Sequence, residues 1–272
     1  MGTIAVTGAH GRVGSELVRR GCIPIEANVT DFYALNQELL DLKPDVVIHC
    51  AAKTNVDACE TQAMEAMKVN AGGVYGLAQV FQGKIVYLST DYIFDGESGP
   101  YDETDKPNPI SIYGWSKLGG EIALRNRHNP QDLIIRTTVL FDKNSPNFVT
   151  RIADKLLAGK GVEVPSVLYG SPTYIPHLAD GILAAIDQDV TGVLNIAGDE
   201  VISRFQLACK IGEMLGVDVD GLVFSGPVTG RAPRPVNAGL TVYKALILDV
   251  PIFSPYEGVK EVLDGVAAME KG

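Results

Sequence analysis

The chain has 272 residues and a formal net charge of −10, with 46% hydrophobic and 21% charged residues. This is the composition of a globular protein; its acidic balance argues against nucleic-acid binding, and its apolar runs are shorter than the roughly 20 residues of a membrane-spanning helix. There is no signal-peptide pattern, no Cys-x-x-Cys pair and no His spacing typical of metal ligands, so we expect a cytoplasmic protein without a metal, nucleic-acid or membrane partner.

The first half of the chain alternates short apolar runs with helical patterns, which is typical of βαβ units around a parallel sheet. The pattern predicts strands at 3–7, 23–27, 46–50, 84–89 and 133–136, and helices at 12–20, 31–42 and 58–82. A loop rich in Pro and Asp covers 99–110, and a further helix begins near Tyr113.

The second half is less regular, and no long flexible linker precedes it. Its pattern predicts helices at 147–158, 177–187, 203–215 and 256–269, a strand at 193–196 and a loop rich in Pro and Arg at 227–235. We therefore expect an α/β protein in which a smaller C-terminal lobe is interleaved with a Rossmann-type, doubly wound parallel sheet.

Three glycines, Gly8, Gly11 and Gly14, follow the first predicted strand and lead into a helix. Glycines let the backbone approach a pyrophosphate, and the helix N-terminus offers free N–H groups. The spacing is GxxGxxG and not the GxGxxG of the standard dinucleotide-binding motif. The prediction of a dinucleotide site therefore depends mainly on the position of the glycines between a strand and a helix. We interpret Asn28 as replacing the acid that marks NAD selectivity. Arg12 could meet a 2′-phosphate, which favours NADPH over NADH, or it could be a solvated residue at the helix start.

Tyr113 and Lys117 are four residues apart and share one face of the predicted helix. An adjacent ammonium is expected to lower the pKa of a tyrosine and make its hydroxyl a proton shuttle at neutral pH. The preceding strand ends at Ser89 and Thr90, at the sheet edge where open α/β folds bind ligands. A hydroxyl there can bond the carbonyl oxygen that Tyr113 protonates. We therefore predict that Thr90, Tyr113 and Lys117 are catalytic.

With these motifs, the chain resembles the dTDP-4-dehydrorhamnose reductase branch of the extended short-chain dehydrogenase/reductase family. The matching segments are 7–14, 44–57, 89–96, 113–121 and 136–138. The resemblance implies hydride transfer from NADPH or NADH to the C4 ketone of a 6-deoxy sugar linked to a nucleotide. It also implies that residues 1–140 mainly bind the cofactor and residues 141–272 mainly bind the substrate, with helix 177–187 and strand 193–196 returning to the core.

The resemblance implies roles for individual residues. Thr90 would bond the ketone oxygen, Tyr113 would donate the proton and Lys117 would hold the nicotinamide ribose. The expected substrate-binding residues are Thr90, Asp91, Asn147 and Arg234. The expected cofactor-binding residues are Gly8, His10, Gly11, Arg12, Val13, Asn28, Val29, Ala51, Ala52, Lys53, Asn70, Tyr113 and Lys117. Val139 stands where the family has a tryptophan, so the sugar stays open.

Two other functions stay open. The resemblance extends to the regulatory subunit of methionine adenosyltransferase, which keeps the fold and binds the cofactor without this chemistry. A nucleotide-sugar epimerase with tightly bound NAD is the other alternative. A homodimer is compatible with each of these functions.

Overall fold

The computed structural model describes residues 2–269, with side chains up to residue 265. The first half contains β1 (Ile4–Thr7), α1 (Arg12–Arg19), β2 (Ile23–Ile25), α2 (Phe32–Leu42), β3 (Val46–His49), α3 (Val56–Thr61), α4 (Ala63–Met67), a π-helix (Lys68–Gly72), α5 (Gly73–Val80), β4 (Lys84–Thr90), a 3₁₀ turn (Asp91–Ile93), α6 (Ile112–Arg125) and β5 (Leu133–Thr137). The second half contains β6 (Leu140–Phe141), α7 (Phe148–Leu157), β7 (Val162–Pro165), β8 (Tyr169–Gly170), β9 (Thr173–Tyr174), α8 (Ile175–Asp187), β10 (Gly192–Asn195), β11 (Ile202–Ser203), α9 (Arg204–Leu215), β12 (Val223–Gly226), α10 (Tyr243–Ile247) and α11 (Pro255–Met269).

The core of the fold is a six-stranded parallel sheet in the order β2-β1-β3-β4-β5-β10. Consecutive strand residues point to opposite faces, and both faces are apolar, as strands buried on both sides require. Val6 and Ile48 pack with α1 and α8 on one face, while Ala5 and Val47 pack with α2, α5 and α6 on the other. This architecture confirms the predicted doubly wound α/β fold.

The single helix predicted over 58–82 is wrong. The segment begins at Val56, because the side chain of Asn55 accepts a hydrogen bond from the Ala58 N–H. It breaks at Gln62, whose backbone leaves the helical region, and it widens into a π-helix at Lys68–Gly72. The predicted second strand is also too long, since β2 ends at Ile25.

The C-terminal lobe has its own apolar core. Helices α7, α9 and α11 pack together with the short strand β7. Between these elements the chain returns to the main sheet, where β10 pairs with β5 and α8 packs on α1. The lobe is thus interleaved with the sheet in sequence. The division of cofactor and substrate binding between the two parts stays a prediction.

Neither a membrane span nor a metal cluster occurs in the part of the chain that the structure describes. No helix within residues 2–269 has the length and apolarity that crossing a bilayer demands. In the same range, His, Cys, Asp and Glu side chains do not gather in groups of three or more that could hold a metal ion.

Candidate active site

The glycine-rich turn joins β1 to α1 through a backbone that needs glycine. Gly8 has a φ of +67°, and a Cβ built there would lie 2.7 Å from the backbone nitrogen of Ala51. A Cβ on Gly14 would collide with the carbonyl of Gly8, and the N–H of Gly11 donates to that carbonyl at 2.9 Å. The turn therefore brings the backbone directly into the N-terminus of α1, whose N-cap Gly11 has no side-chain cap, and free N–H groups at a helix N-terminus can bind a pyrophosphate.

The loop after β3 is held by Asn70, which lies fully buried in the π-helix. Its side-chain oxygen accepts from the N–H of Lys53 at 2.7 Å, and its amide nitrogen donates to the Lys53 carbonyl at 3.0 Å and to Ser116 Oγ at 2.8 Å. These bonds tie the loop containing Ala51 and Ala52 to helix α6. Asn70 thus positions the loop that is expected to line the cofactor.

Arg12 and Asn28 have partners that the sequence does not reveal. The Arg12 guanidinium donates to Asp142 at 2.6 Å and to the carbonyl of Leu140 at 3.3 Å. Both partners follow β5, which lies on the opposite side of β1 from β2. The side-chain oxygen of Asn28 closes a turn by accepting from Thr30. Glu26 is the first residue after β2, so a carboxylate stands directly after this strand and Asn28 lies two residues further on.

The catalytic candidates meet at the carboxyl end of β4. Thr90 is the last residue of this buried strand, and its hydroxyl donates to the carboxylate of Asp91 at 3.0 Å. Ser111 caps α6 by accepting from the third residue of the helix, which places Tyr113 in the first turn. The rings of Tyr113 and Tyr92 meet edge to face, with centroids 5.6 Å apart. The Tyr113 hydroxyl is also in hydrogen-bonding contact with Thr90, so the buried Thr90 and the half-buried Tyr113 share one corner.

The pKa of Tyr113 is raised by burial, while a hydrogen bond with Thr90 partly offsets this effect. The expectation that Lys117 lowers this pKa is therefore wrong. Lys117 Nζ donates instead to the carbonyl of Leu88 at 2.6 Å and lies 4.3 Å from the centre of the Tyr87 ring. Burial lowers the pKa of Lys117 to about 7. At neutral pH the Tyr113 hydroxyl is accordingly protonated, which is the form that a proton donor needs.

Asp91 is a buried carboxylate next to the catalytic candidates. It accepts from Thr138 Oγ1 at 2.5 Å and from Thr90 at 3.0 Å. Burial raises the pKa of Asp91 to about 6, and the positive charge of Arg204 acts in the opposite direction. Arg204 begins α9, and its guanidinium lies 5.1 Å from the centre of the Phe148 ring. Sequence reasoning missed Arg204, since nothing in its neighbourhood marks it as facing this corner.

The other two candidates for substrate binding, Asn147 and Arg234, differ in how many of their hydrogen-bonding groups already have partners in the protein. Asn147 caps α7, and it also donates to the carbonyls of Asp142 and Ser145, which favours a structural role. Arg234 donates to Asp57 at 2.9 Å. This bond, together with backbone N–H groups of the same loop, lowers the pKa of Asp57 to about 2. The loop carrying Arg234 is thus tied to the start of α3, although 177 positions separate the two residues.

Comparisons with known proteins show the family of the chain. The family model of the RmlD substrate binding domain matches residues 2–267. The dTDP-4-dehydrorhamnose reductase of Mycobacterium tuberculosis is 34% identical over 261 residues, covering 88% of this chain and 84% of that protein. Methionine adenosyltransferase 2 subunit beta of Rattus norvegicus is 30% identical over 253 residues, covering 88% and 75%.

A solved structure supports the same relationship. The dTDP-4-dehydrorhamnose reductase of Bacillus anthracis in complex with NADP superposes with a TM-score of 0.89 at 29% identity, covering 96% of this chain and 98% of that one. Such agreement extends over both the sheet and the C-terminal lobe. The chain therefore belongs to the RmlD substrate binding domain family, within the extended short-chain dehydrogenase/reductase superfamily.

Proposed function

We propose that the chain reduces the C4 ketone of a dTDP-linked 4-keto-6-deoxy sugar, with Tyr113 as the proton donor. The chain is an NAD(P)-dependent oxidoreductase of its family. The observation that carries the proposal is the meeting of Thr90 and Tyr113 in one corner at the carboxyl end of β4. Because the strands are parallel, this corner lies at the same edge of the sheet as the glycine-rich turn.

In this proposal the glycine-rich turn and the loop 51–53 hold NAD(P)H, which supplies the hydride when bound. Tyr113 donates its proton to the ketone oxygen, and the oxygen leaves the reaction as a hydroxyl. The Thr90 hydroxyl bonds the same oxygen and holds it against Tyr113. Lys117 lies one helical turn further along α6, from where its nitrogen would hold the nicotinamide ribose.

The diphosphate of the substrate would be held by arginine. Arg234 is bonded to Asp57 through one terminal nitrogen, and its planar guanidinium has further N–H groups for a phosphate. Arg204 also faces the site, because its charge acts on both Asp91 and Tyr92. These two cations lie near the corner where the sugar is expected.

The test is NADPH or NADH oxidation, followed at the nicotinamide absorbance, with the dTDP-4-keto-6-deoxy sugar generated in place. We expect sugar-dependent oxidation by the wild-type protein and a loss of about 10²–10⁴-fold in turnover for Tyr113→Phe, since the variant lacks the proton donor. Cofactor affinity should stay nearly unchanged. Tyr243→Phe, at a tyrosine that is 73% exposed on α10, is the matched control. Normal turnover by Tyr113→Phe would contradict the assignment.

A second candidate is a non-catalytic regulatory subunit, which the 30% identity to methionine adenosyltransferase 2 subunit beta favours. The same assay separates the two functions. Cofactor binding without oxidation of NADPH or NADH, whatever keto-sugar is offered, would support the regulatory subunit.

A further inference from the structure

The end of β2 presents an acidic side chain to the glycine-rich turn. Glu26 is the first residue after β2, and its Oε2 lies 2.8 Å from Nε2 of His10. The side chains of His10 and Glu26 are 85% and 59% exposed, so a bound molecule can reach both. In Rossmann folds, a carboxylate at this position accepts hydrogen bonds from the hydroxyls of the adenosine ribose.

A second carboxylate supports the same loop. Glu38, on α2, accepts from the backbone N–H of Glu26 at 2.8 Å and from that of Ala27 at 2.7 Å. Glu38 thereby fixes the backbone that carries Glu26 and adds negative charge beside it. A 2′-phosphate at this place would face two carboxylates, and like charges at short range repel each other.

The arginine that could have neutralised a 2′-phosphate is held elsewhere. Arg12 pairs with Asp142 at 2.6 Å, beyond β5 and on the opposite side of β1 from β2. His10, in the glycine-rich turn, is already in contact with the Glu26 carboxylate through its Nε2. The charges around the end of β2 are thus better suited to two ribose hydroxyls than to a phosphate.

We propose that Glu26 selects NADH over NADPH, by accepting hydrogen bonds from the adenosine ribose hydroxyls and by repelling a 2′-phosphate. The inference rests on the proposed function, because it concerns the cofactor of that same site. The Bacillus anthracis relative was solved with NADP. Selectivity depends on the few side chains around one ribose, so it can differ between proteins that share a fold.

The test is a titration of the purified full-length protein with NADH and with NADPH, followed by nicotinamide fluorescence without any sugar. The wild-type protein should bind NADH at least about tenfold more tightly than NADPH, a ratio equivalent to about 1.4 kcal/mol. Glu26→Gln keeps the size of the side chain and removes its charge. We expect this variant to lose most of the preference, mainly through tighter NADPH binding. Glu213→Gln, at an exposed carboxylate on α9, is the control and should keep the wild-type ratio.

Two results would overturn the inference. One is a wild-type protein that binds NADPH as tightly as NADH or more tightly. The other is a Glu26→Gln variant whose ratio equals that of the wild type or of Glu213→Gln. The proposed function fails differently: a protein that prefers NADH in the titration but does not oxidise it with any keto-sugar would contradict reduction and leave the role of Glu26 standing.

Discussion

Helix α6 carries two buried charges one turn apart, Lys117 and Glu121, and their surroundings differ sharply. The Glu121 carboxylate accepts from Arg136 at 2.9 and 3.0 Å, from Ser89 at 2.7 Å and from Arg125 at 3.2 Å. The side-chain nitrogen of Lys117 has a single hydrogen bond, to the carbonyl of Leu88, and no carboxylate within ion-pair distance in the described part of the chain.

We interpret this difference as one between a structural charge and a charge that the proposed function uses. The buried carboxylate of Glu121 has a partner on each neighbouring element and so joins α6, β4 and β5. A buried ammonium with little compensation changes its protonation equilibrium, and the pKa of Lys117 falls to about 7. Groups with such perturbed pKa values concentrate at functional sites. Of the two charges, Lys117 is the one nearer to the end of α6 that carries Tyr113.

The largest effect should come from breaking the paired cluster. Glu121→Ala would leave the guanidinium of Arg136 buried, with 1% of its side chain exposed, and without its carboxylate. We expect a loss of about 3–5 kcal/mol in the free energy of unfolding, because an uncompensated buried charge is costly. Urea unfolding measures this loss as a lower midpoint.

Arg125→Ala is the control for that variant, because it removes an exposed partner of the same carboxylate. A surface ion pair contributes about 0–1 kcal/mol, so Arg125→Ala should change stability little. Equal losses for Glu121→Ala and Arg125→Ala would show that the cluster is not held by its buried pair.

The neighbouring residues Ser89 and Thr90 sharpen the contrast within one strand. Ser89→Ala removes a hydrogen bond to the Glu121 carboxylate, and we expect a loss of about 1.5–3 kcal/mol in stability with turnover nearly unchanged. Thr90→Val should lower turnover by about 10²–10³-fold, because the ketone oxygen loses a donor. Thr90→Ser keeps the hydroxyl and should recover most of the rate. Steady-state kinetics and urea unfolding of the three variants test whether the two positions have separate roles. A loss of both stability and turnover in Ser89→Ala and in Thr90→Val alike would contradict this.

The sequence predicts the arrangement of Tyr113 and Lys117 on α6 better than it predicts the partners of Glu121. Tyr113 and Lys117 are four positions apart, so helix periodicity alone places them on one face. The pairing of Glu121 with Arg136 and of Asp57 with Arg234 depends on how β4, β5 and the C-terminal loop are arranged, which no local pattern contains.

The end of β2 was predicted two residues too late, and this error changed the interpretation of the cofactor site. With β2 extended to residue 27, the position after the strand is Asn28, whereas β2 ends at Ile25 and the position after it is Glu26, which we propose as the selecting acid. The pKa of Tyr113 was predicted with the wrong sign, because the sequence spacing to Lys117 does not show that its nitrogen points to Leu88 or how far burial desolvates the phenol.

The last expected effect is on the pH dependence of stability. The folded-state pKa of Lys117 lies near 7 and its ordinary value is 10.5, so between these values the unfolded chain binds a proton that the folded chain has released. The contribution of Lys117 to stability therefore rises with pH across this window, by at most about 1.4 kcal/mol per pH unit.

Lys117→Met lacks this group and should be at least as stable as the wild type at pH 7. Between pH 7 and pH 9 the stability of the wild type should rise relative to that of the variant. Urea unfolding at both pH values measures the change. A constant difference, or a destabilisation at pH 7 as large as that of Glu121→Ala, would mean that Lys117 is a paired structural charge like its neighbour.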